Sequence, residues 1–202
     1  MIEIRGLHKS YGERILFDHF NMTIPDQDFI IFSGVSGCGK TTLLNMIGAL
    51  EKPDKGEILV DGIDIGKRKN RLKYFSETVG FLFQNFALME DKTVDQNLKI
   101  IKAQNRSSIS METALDRVGL KDKLNNKVYT LSGGEQQRVA LARLMMKKCS
   151  LILADEPTGS LDRANADIVM DILKEINKEG KTVVIVSHDE SIKKKAERVV
   201  EL

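Results

Sequence analysis

One short string restricts this chain more than any other: Gly34-Val35-Ser36-Gly37-Cys38-Gly39-Lys40-Thr41. It follows the apolar run Phe29–Ser33 directly and leads into a stretch of helical character, Lys40–Leu50. In the pattern G-x-x-x-x-G-K-[ST], glycines let backbone N–H groups turn inward around phosphate oxygens, where a Cβ would clash. Lys40 is placed to reach the β- and γ-phosphates, and the Thr41 hydroxyl to bind Mg²⁺. The helix that begins at Lys40 aims its N-terminus at the anion. Gly34, Val35, Ser36, Gly37, Cys38, Gly39, Lys40, Thr41 and Thr42 are therefore the predicted phosphate-binding residues. Chance would bring the four fixed positions together in a chain of this length on the order of 1% of the time. Here the strand before and the helix after also fit.

The rest of the chain alternates in the same way. Met1–Leu7, Ile15–Ile24, Glu57–Val60 and Val79–Phe83 read as strands, with a Tyr11-Gly12 turn between the first two. Leu151–Ala154 and Thr182–Ser187 are continuous apolar runs of the kind buried on both faces of a parallel sheet. Gln136–Lys147 and Ala164–Lys178 read as helices. From Gln84 to about Thr130 the alternation stops, and the helical pattern is more polar from Thr93 to Lys123. The expected fold is α/β: a mostly parallel core sheet with flanking helices, an antiparallel β subdomain and a helical subdomain embedded at about 84–130. A single domain is expected over 1–202.

Composition narrows the partners. With 31 Lys and Arg against 29 Asp and Glu, the net charge is +2, so no dominant polyanion-binding surface and no nucleic-acid partner are expected. No apolar run exceeds four residues, far short of the ~20 of a membrane-spanning helix. The N-terminus lacks the apolar stretch of a signal peptide. Cys38 and Cys149 are far apart and have no ligand spacing, which suits a reduced, cytoplasmic protein.

Two further strings carry chemistry. Leu151-Ile152-Leu153-Ala154-Asp155-Glu156 is an apolar strand that ends in two carboxylates. Downstream of a phosphate loop, Asp155 is placed to hold Mg²⁺ through its water shell, and Glu156 to polarise an attacking water. In Leu131-Ser132-Gly133-Gly134-Glu135-Gln136-Gln137-Arg138, Ser132 and Glu135 form a capping box at a helix start. The box does not explain two consecutive glycines, which cost stability unless the backbone approaches something closely. A Ser-Gly-Gly helix end is itself an anion site. The sequence thus offers two phosphate-facing helix ends.

This last string resembles the signature of the ATP-binding cassette (ABC) ATPases, and the other family elements follow in order. Tyr11 resembles the aromatic that stacks on adenine. Gln84 resembles the glutamine that senses Mg²⁺ and links to the membrane partner. Ser160-Leu161-Asp162 resembles the loop that crosses the dimer interface, and His188 the histidine that contacts the γ-phosphate. The resemblance implies a homodimer with each ATP between one subunit's Lys40 loop and the other's Ser132, Gly133, Gly134 and Glu135. It also implies a separate transmembrane permease that holds the chain on the inner face of the cell membrane. Leu131–Arg138 followed by Val139–Arg143, together with Leu153–Asp162, resembles the branch of macrolide and antimicrobial-peptide exporters, lipoprotein-release ATPases and cell-division ATPases. A peptide, an antimicrobial or a lipid-linked substrate is the expected cargo. Glu135 stands where the general family has Gln, and Cys149 where many relatives have Pro.

A regulatory ATPase that signals through a membrane protein without transport is the alternative. The interval between Thr41 and Leu131 holds no long heptad run, unlike DNA-repair relatives, and the chain has one cassette, unlike most translation-factor relatives. Phe86-Ala87-Leu88-Met89, just after Gln84, is the expected docking surface for the membrane subunit.

Overall fold

The computed structural model describes residues 1–196 and 198–202. Five parallel strands form the main sheet, in the order β6 (Val79–Leu82), β7 (Leu151–Asp155), β8 (Thr182–Val186), β3 (Phe29–Ser33), β9 (Arg198–Glu201). A four-stranded antiparallel sheet has the order β2 (Arg14–Ile24), β1 (Ile2–Tyr11), β4 (Lys55–Val60), β5 (Ile63–Asp64).

The continuous apolar strands are explained by what covers them. Successive residues of a strand face opposite sides. Ile31, Ile152, Ala154, Val183 and Ile185 pack with α5 (Gly133–Met146) and α6 (Arg163–Lys178). Their neighbours Ile30, Phe32, Leu151, Leu153, Val184 and Val186 pack with α1 (Lys40–Ile47) and the antiparallel sheet. A sheet buried on both faces leaves no polar alternation.

Helical elements lie between β6 and α5, as three-ten turns together with α3 (Val94–Lys99) and α4 (Met111–Arg117). Val94, Leu98, Ala114 and Leu115 share one apolar cluster with α5 and the sheet face. Helix α5 therefore joins this segment to the core.

Several boundaries differ from the sequence reading. The first strand does not stop at Leu7; it bulges past Gly6, at φ 55°, and continues to Tyr11. The first helix ends at Ile47, capped by Gly48, rather than at Leu50. The polar stretch from Thr93 to Lys123 is two short helices, each started afresh by its own cap, Thr93 and Ser110. Helix α5 begins at Gly133 rather than Gln136, because Ser132 caps it. Short elements that gave no periodic signal include β5, α2 (Arg68–Lys73), a π-helical turn at Tyr74–Thr78, and the edge strand β9, half of which faces solvent.

Candidate active site

The loop between β3 and α1 forms the floor of a cavity of about 470 Å³. Gly34, Gly37 and Gly39 have φ of 142°, 83° and 109°, values that side chains with a Cβ rarely tolerate. The N–H groups of Gly37, Gly39, Lys40 and Thr41 take no acceptor among the described residues. The Lys40 ammonium is folded back onto the loop, donating to the carbonyls of Gly34 (2.8 Å) and Val35 (2.9 Å). Free donors and a folded-back cation at a helix N-terminus form a cradle that fits a polyphosphate. Val35, Ser36, Thr41 and Thr42 also line the cavity, while Cys38 lies to its side, its Sγ 3.6 Å from Lys40 Nζ.

The end of β7 supplies the carboxylates. Thr41 Oγ1 donates to Asp155 Oδ1 at 3.1 Å, which brings together two of the three residues predicted to contact Mg²⁺, the third being Gln84. Burial pushes the Asp155 carboxyl above the usual carboxylate range, and the neighbouring Glu156 adds to this while the Thr41 hydroxyl opposes it. A half-buried carboxylate paired only with a hydroxyl is a chemically suitable place for a hard divalent cation.

Glu156 lines the same cavity at φ 44°, its N–H bound to the Val186 carbonyl at 3.0 Å. Its Oε1 is 2.6 Å from His188 Nδ1, and its Oε2 is buried with no partner among the described residues. One oxygen is thus anchored and the other keeps an unused acceptor. Such a strained, half-satisfied carboxylate is a pattern typical of functional sites.

Tyr11 stands outside the cavity, at the tip of the β1–β2 hairpin. It is half exposed, and its hydroxyl donates to Glu51. Gln84 is exposed in the turn after β6, and its Nε2 and Glu156 both border Gly159. Ser132, Gly133, Gly134 and Glu135 do not line the cavity.

The capping box is present. Ser132 N–H donates to Glu135 Oε2 at 2.8 Å, and that bond, ahead of burial which opposes it, holds the Glu135 carboxyl below its usual range. The cap needs only an oxygen acceptor, so Glu serves where Gln is common. The two glycines differ in kind. A Cβ on Gly134 would stand 2.5 Å from Asn165, whereas one on Gly133 would meet only Phe86 Cζ at 3.9 Å. Gly134 is therefore explained by the close packing of α5 on α6. Gly133 is open, and nothing among the described residues requires it.

Sequence reasoning missed two cations. Arg14 donates to the Gly37 carbonyl at 2.9 Å, from the strand after the Tyr11 turn; no spacing marks it. Arg143, whose pKa is lowered by burial, donates to the carbonyls of Ala87 (2.6 Å) and Phe86 (3.0 Å). Both acceptors lie in left-handed conformation, at φ 46° and 61°. Arg143 thus pins the turn that carries Gln84 to α5. Nothing in the helical pattern of α5 marks it. The expected docking segment also differs: Phe86 and Leu88 pack inward against the core, and only Met89 is a large exposed apolar residue there.

Comparison with known proteins fits this arrangement. A family model described as ABC transporter matches residues 17–159. An uncharacterized ABC transporter ATP-binding protein of Bacillus subtilis, YvrO, is 38% identical over 99% of this chain and 92% of its own length. The macrolide export ATP-binding/permease protein MacB of Campylobacter jejuni (strain 81-176) is 37% identical, but the chain spans only 33% of that relative. The dimeric cassette MJ0796, solved in a post-hydrolysis state bound to ADP and Pi, is 34% identical with a TM-score of 0.85, covering 100% of this chain and 94% of that one. With its phosphate loop, its carboxylate pair and these matches along its whole length, the chain belongs to the ABC transporter family as an ATP-binding, ATP-hydrolysing cassette.

Proposed function

We propose that two copies of this chain close around two ATP and drive a separate transmembrane subunit that exports a peptide, an antimicrobial or a lipid-linked compound. The observation that carries the dimer is the division of the site. Lys40, Thr41, Asp155, Glu156 and His188 gather at one place, while the exposed Ser132-Gly133 helix end stands apart. An open anion-facing helix end with no ligand of its own suits a second copy's nucleotide. The dimeric form of MJ0796 is consistent with this pairing.

In this reading, Lys40 exchanges its carbonyl partners for phosphate oxygens as ATP enters. Thr41 and Asp155 would hold Mg²⁺, which would supply charge neutralisation to the triphosphate. The Glu156 carboxylate accepts a proton from the attacking water, and His188 orients it through Oε1. Gln84, beside Glu156, reports the state of the site to the turn held by Arg143. Tyr11 stacks on the base.

The transmembrane partner has a groove to occupy. Leu72 is 81% exposed and Ile100 52%, and both line an open cavity of about 670 Å³ with Ile101, Lys102 and Lys147. Exposed apolar side chains lining an open groove suit an amphipathic helix. No helix among the described residues is long and apolar enough to cross a membrane. The chain would lie on the inner face of the membrane through that contact. Export rather than import rests on likeness to relatives named for macrolide export.

The test separates the two halves of the site. Lys40→Ala should lose ATP binding in the monomer. Ser132→Arg should keep monomer binding but lose ATP-dependent dimerisation and hydrolysis. Equal loss of monomer affinity in both variants would overturn the shared-site reading.

A further inference from the structure

The end of β1 carries a buried cation that the phosphate chemistry does not use. Lys9 is 8% exposed, and its ammonium lies 4.9 Å from the centroid of the Tyr11 ring, over one face. The same nitrogen is 2.9 Å from Glu51 Oε1, 3.5 Å from Asp54 Oδ1 and 3.1 Å from the Lys52 carbonyl. Glu51 also accepts the Tyr11 hydroxyl. Asp54 in turn accepts from Ser10 N–H (2.8 Å) and Ser10 Oγ (3.2 Å). The tip of the hairpin is thus tied at three successive residues to the loop that follows α1.

We infer that Lys9 and Glu51 are positioning residues for the nucleobase: Lys9 occupies the inner face of the Tyr11 ring, Glu51 fixes its hydroxyl, and the outer face is left as the stacking surface. The inference rests on the reading that Tyr11 stacks on the base.

Three physical points support it. A freely rotating surface tyrosine would lose rotamer entropy on stacking, and a ring already held at its hydroxyl and one face has lost it beforehand. An ammonium over one face draws on the ring quadrupole, and a partly desolvated pair of this kind is held in place. The frame is also rigid along its length. Helix α1 points its N-terminus at the phosphate loop, and the loop after its C-terminus carries Glu51 and Asp54. The distance from base platform to phosphate cradle is therefore set by one helix, and a purine triphosphate meets two preformed ends.

The test compares ATP with inorganic tripolyphosphate, which has the phosphates and no base, by competition and calorimetry on the full chain. The chain contains no tryptophan, so Tyr11→Trp provides a single fluorescent reporter of the platform. In Tyr11→Ala, ATP affinity should fall roughly tenfold, the value of one lost base stack, with tripolyphosphate unchanged. In Lys9→Met and Glu51→Gln, ATP affinity should fall about three- to tenfold, again with tripolyphosphate unchanged. Lys9→Arg should restore ATP affinity, and the Tyr11→Trp emission should respond to ATP less sharply when combined with Lys9→Met. In steady state KM should rise while kcat stays level.

If Tyr11→Ala leaves the ratio of ATP to tripolyphosphate affinity unchanged, the stacking reading itself is wrong. If Tyr11→Ala lowers that ratio but Lys9→Met and Glu51→Gln do not, stacking stands and the positioning inference is overturned. Parallel loss of both ligands in Lys9→Met would mark a structural role only, and would also overturn it.

Discussion

Gly134→Ala and Gly133→Ala are adjacent substitutions with opposite expected outcomes. Asn165, the residue a Cβ on Gly134 would strike, cannot swing away freely. Its backbone and side-chain N–H groups donate to Asp162 at 2.9 and 2.7 Å, and its Oδ1 accepts from Arg138. Making room means breaking those bonds or pushing α6 off α5. Overpacking of this sort costs about 1–3 kcal/mol. In a chain of 202 residues each kcal/mol shifts Tm by about 2–4 °C, so Gly134→Ala should lower Tm by about 2–12 °C. At Gly133 the backbone is compatible with alanine and the space is open. That change should raise stability by about 0.4–1 kcal/mol through the unfolded state. Under the two-copy reading, its added methyl faces the partner subunit's nucleotide. ATPase activity should then fall roughly tenfold or more, equivalent to about 1.4 kcal/mol of transition-state stabilisation. Differential scanning fluorimetry and a coupled ATPase assay measure both. A Gly134→Ala protein as stable as the parent, or a Gly133→Ala protein that loses stability, would refute the packing argument. Full activity in Gly133→Ala would refute its place against a second copy.

Three more expectations follow from the site and the groove. Glu156→Gln keeps shape and loses basicity, so ATP binding should persist, turnover should drop at least about 100-fold, and an ATP-held dimer should accumulate on size exclusion; near-normal turnover would remove Glu156 from its role. The raised Asp155 pKa makes its ionised form a destabilising group in the metal-free fold, and this contribution is lost as pH falls through that raised value. Asp155→Asn should therefore raise the metal-free Tm at neutral pH and remove the part of its pH dependence that lies between the ordinary carboxylate value and the raised one, while abolishing Mg²⁺-dependent hydrolysis; an unchanged Tm profile would show that burial costs this carboxylate little. Leu72→Ser should leave Tm and basal ATPase activity within error but weaken co-purification with the membrane subunit, whereas Phe86→Ser should lower Tm by removing an inward-packed ring; co-purification untouched in Leu72→Ser would move the docking surface elsewhere.

What could be read from the sequence followed from how local each signal is. The phosphate loop was legible because its glycines, its lysine and its flanking strand and helix are contiguous. The double coverage of β3, β7 and β8 was legible because burial on both faces removes polar residues from a short run. The Ser132–Glu135 cap was legible for the same reason, as a bond across three residues. Arg14 and Arg143 were not, since their acceptors, Gly37 and the Phe86–Ala87 carbonyls, lie far away in sequence. Strand β9 has only a half-buried pattern and owes its existence to β3. The inward packing of Phe86 and Leu88 was misjudged because four apolar residues in a row look alike whether they face a partner or the chain's own helices.

Strand β3 lies between β8 and β9, and both neighbours come from the last part of the chain. On the ribosome this has a consequence in time. Phe29–Ser33 leaves the exit tunnel early, with apolar side chains on both faces and hydrogen-bonding edges on both sides. Neither edge can be paired until residues 182–201 have been made. At about 5–20 residues per second, that is a wait of several seconds or more with an open, sticky strand. The nascent nucleotide cradle cannot set its glycine turn against a fixed strand end before then. Synthesis that stalls short of β8 should leave a chain that neither binds nucleotide nor stays soluble, and a holding chaperone has a defined segment to shield.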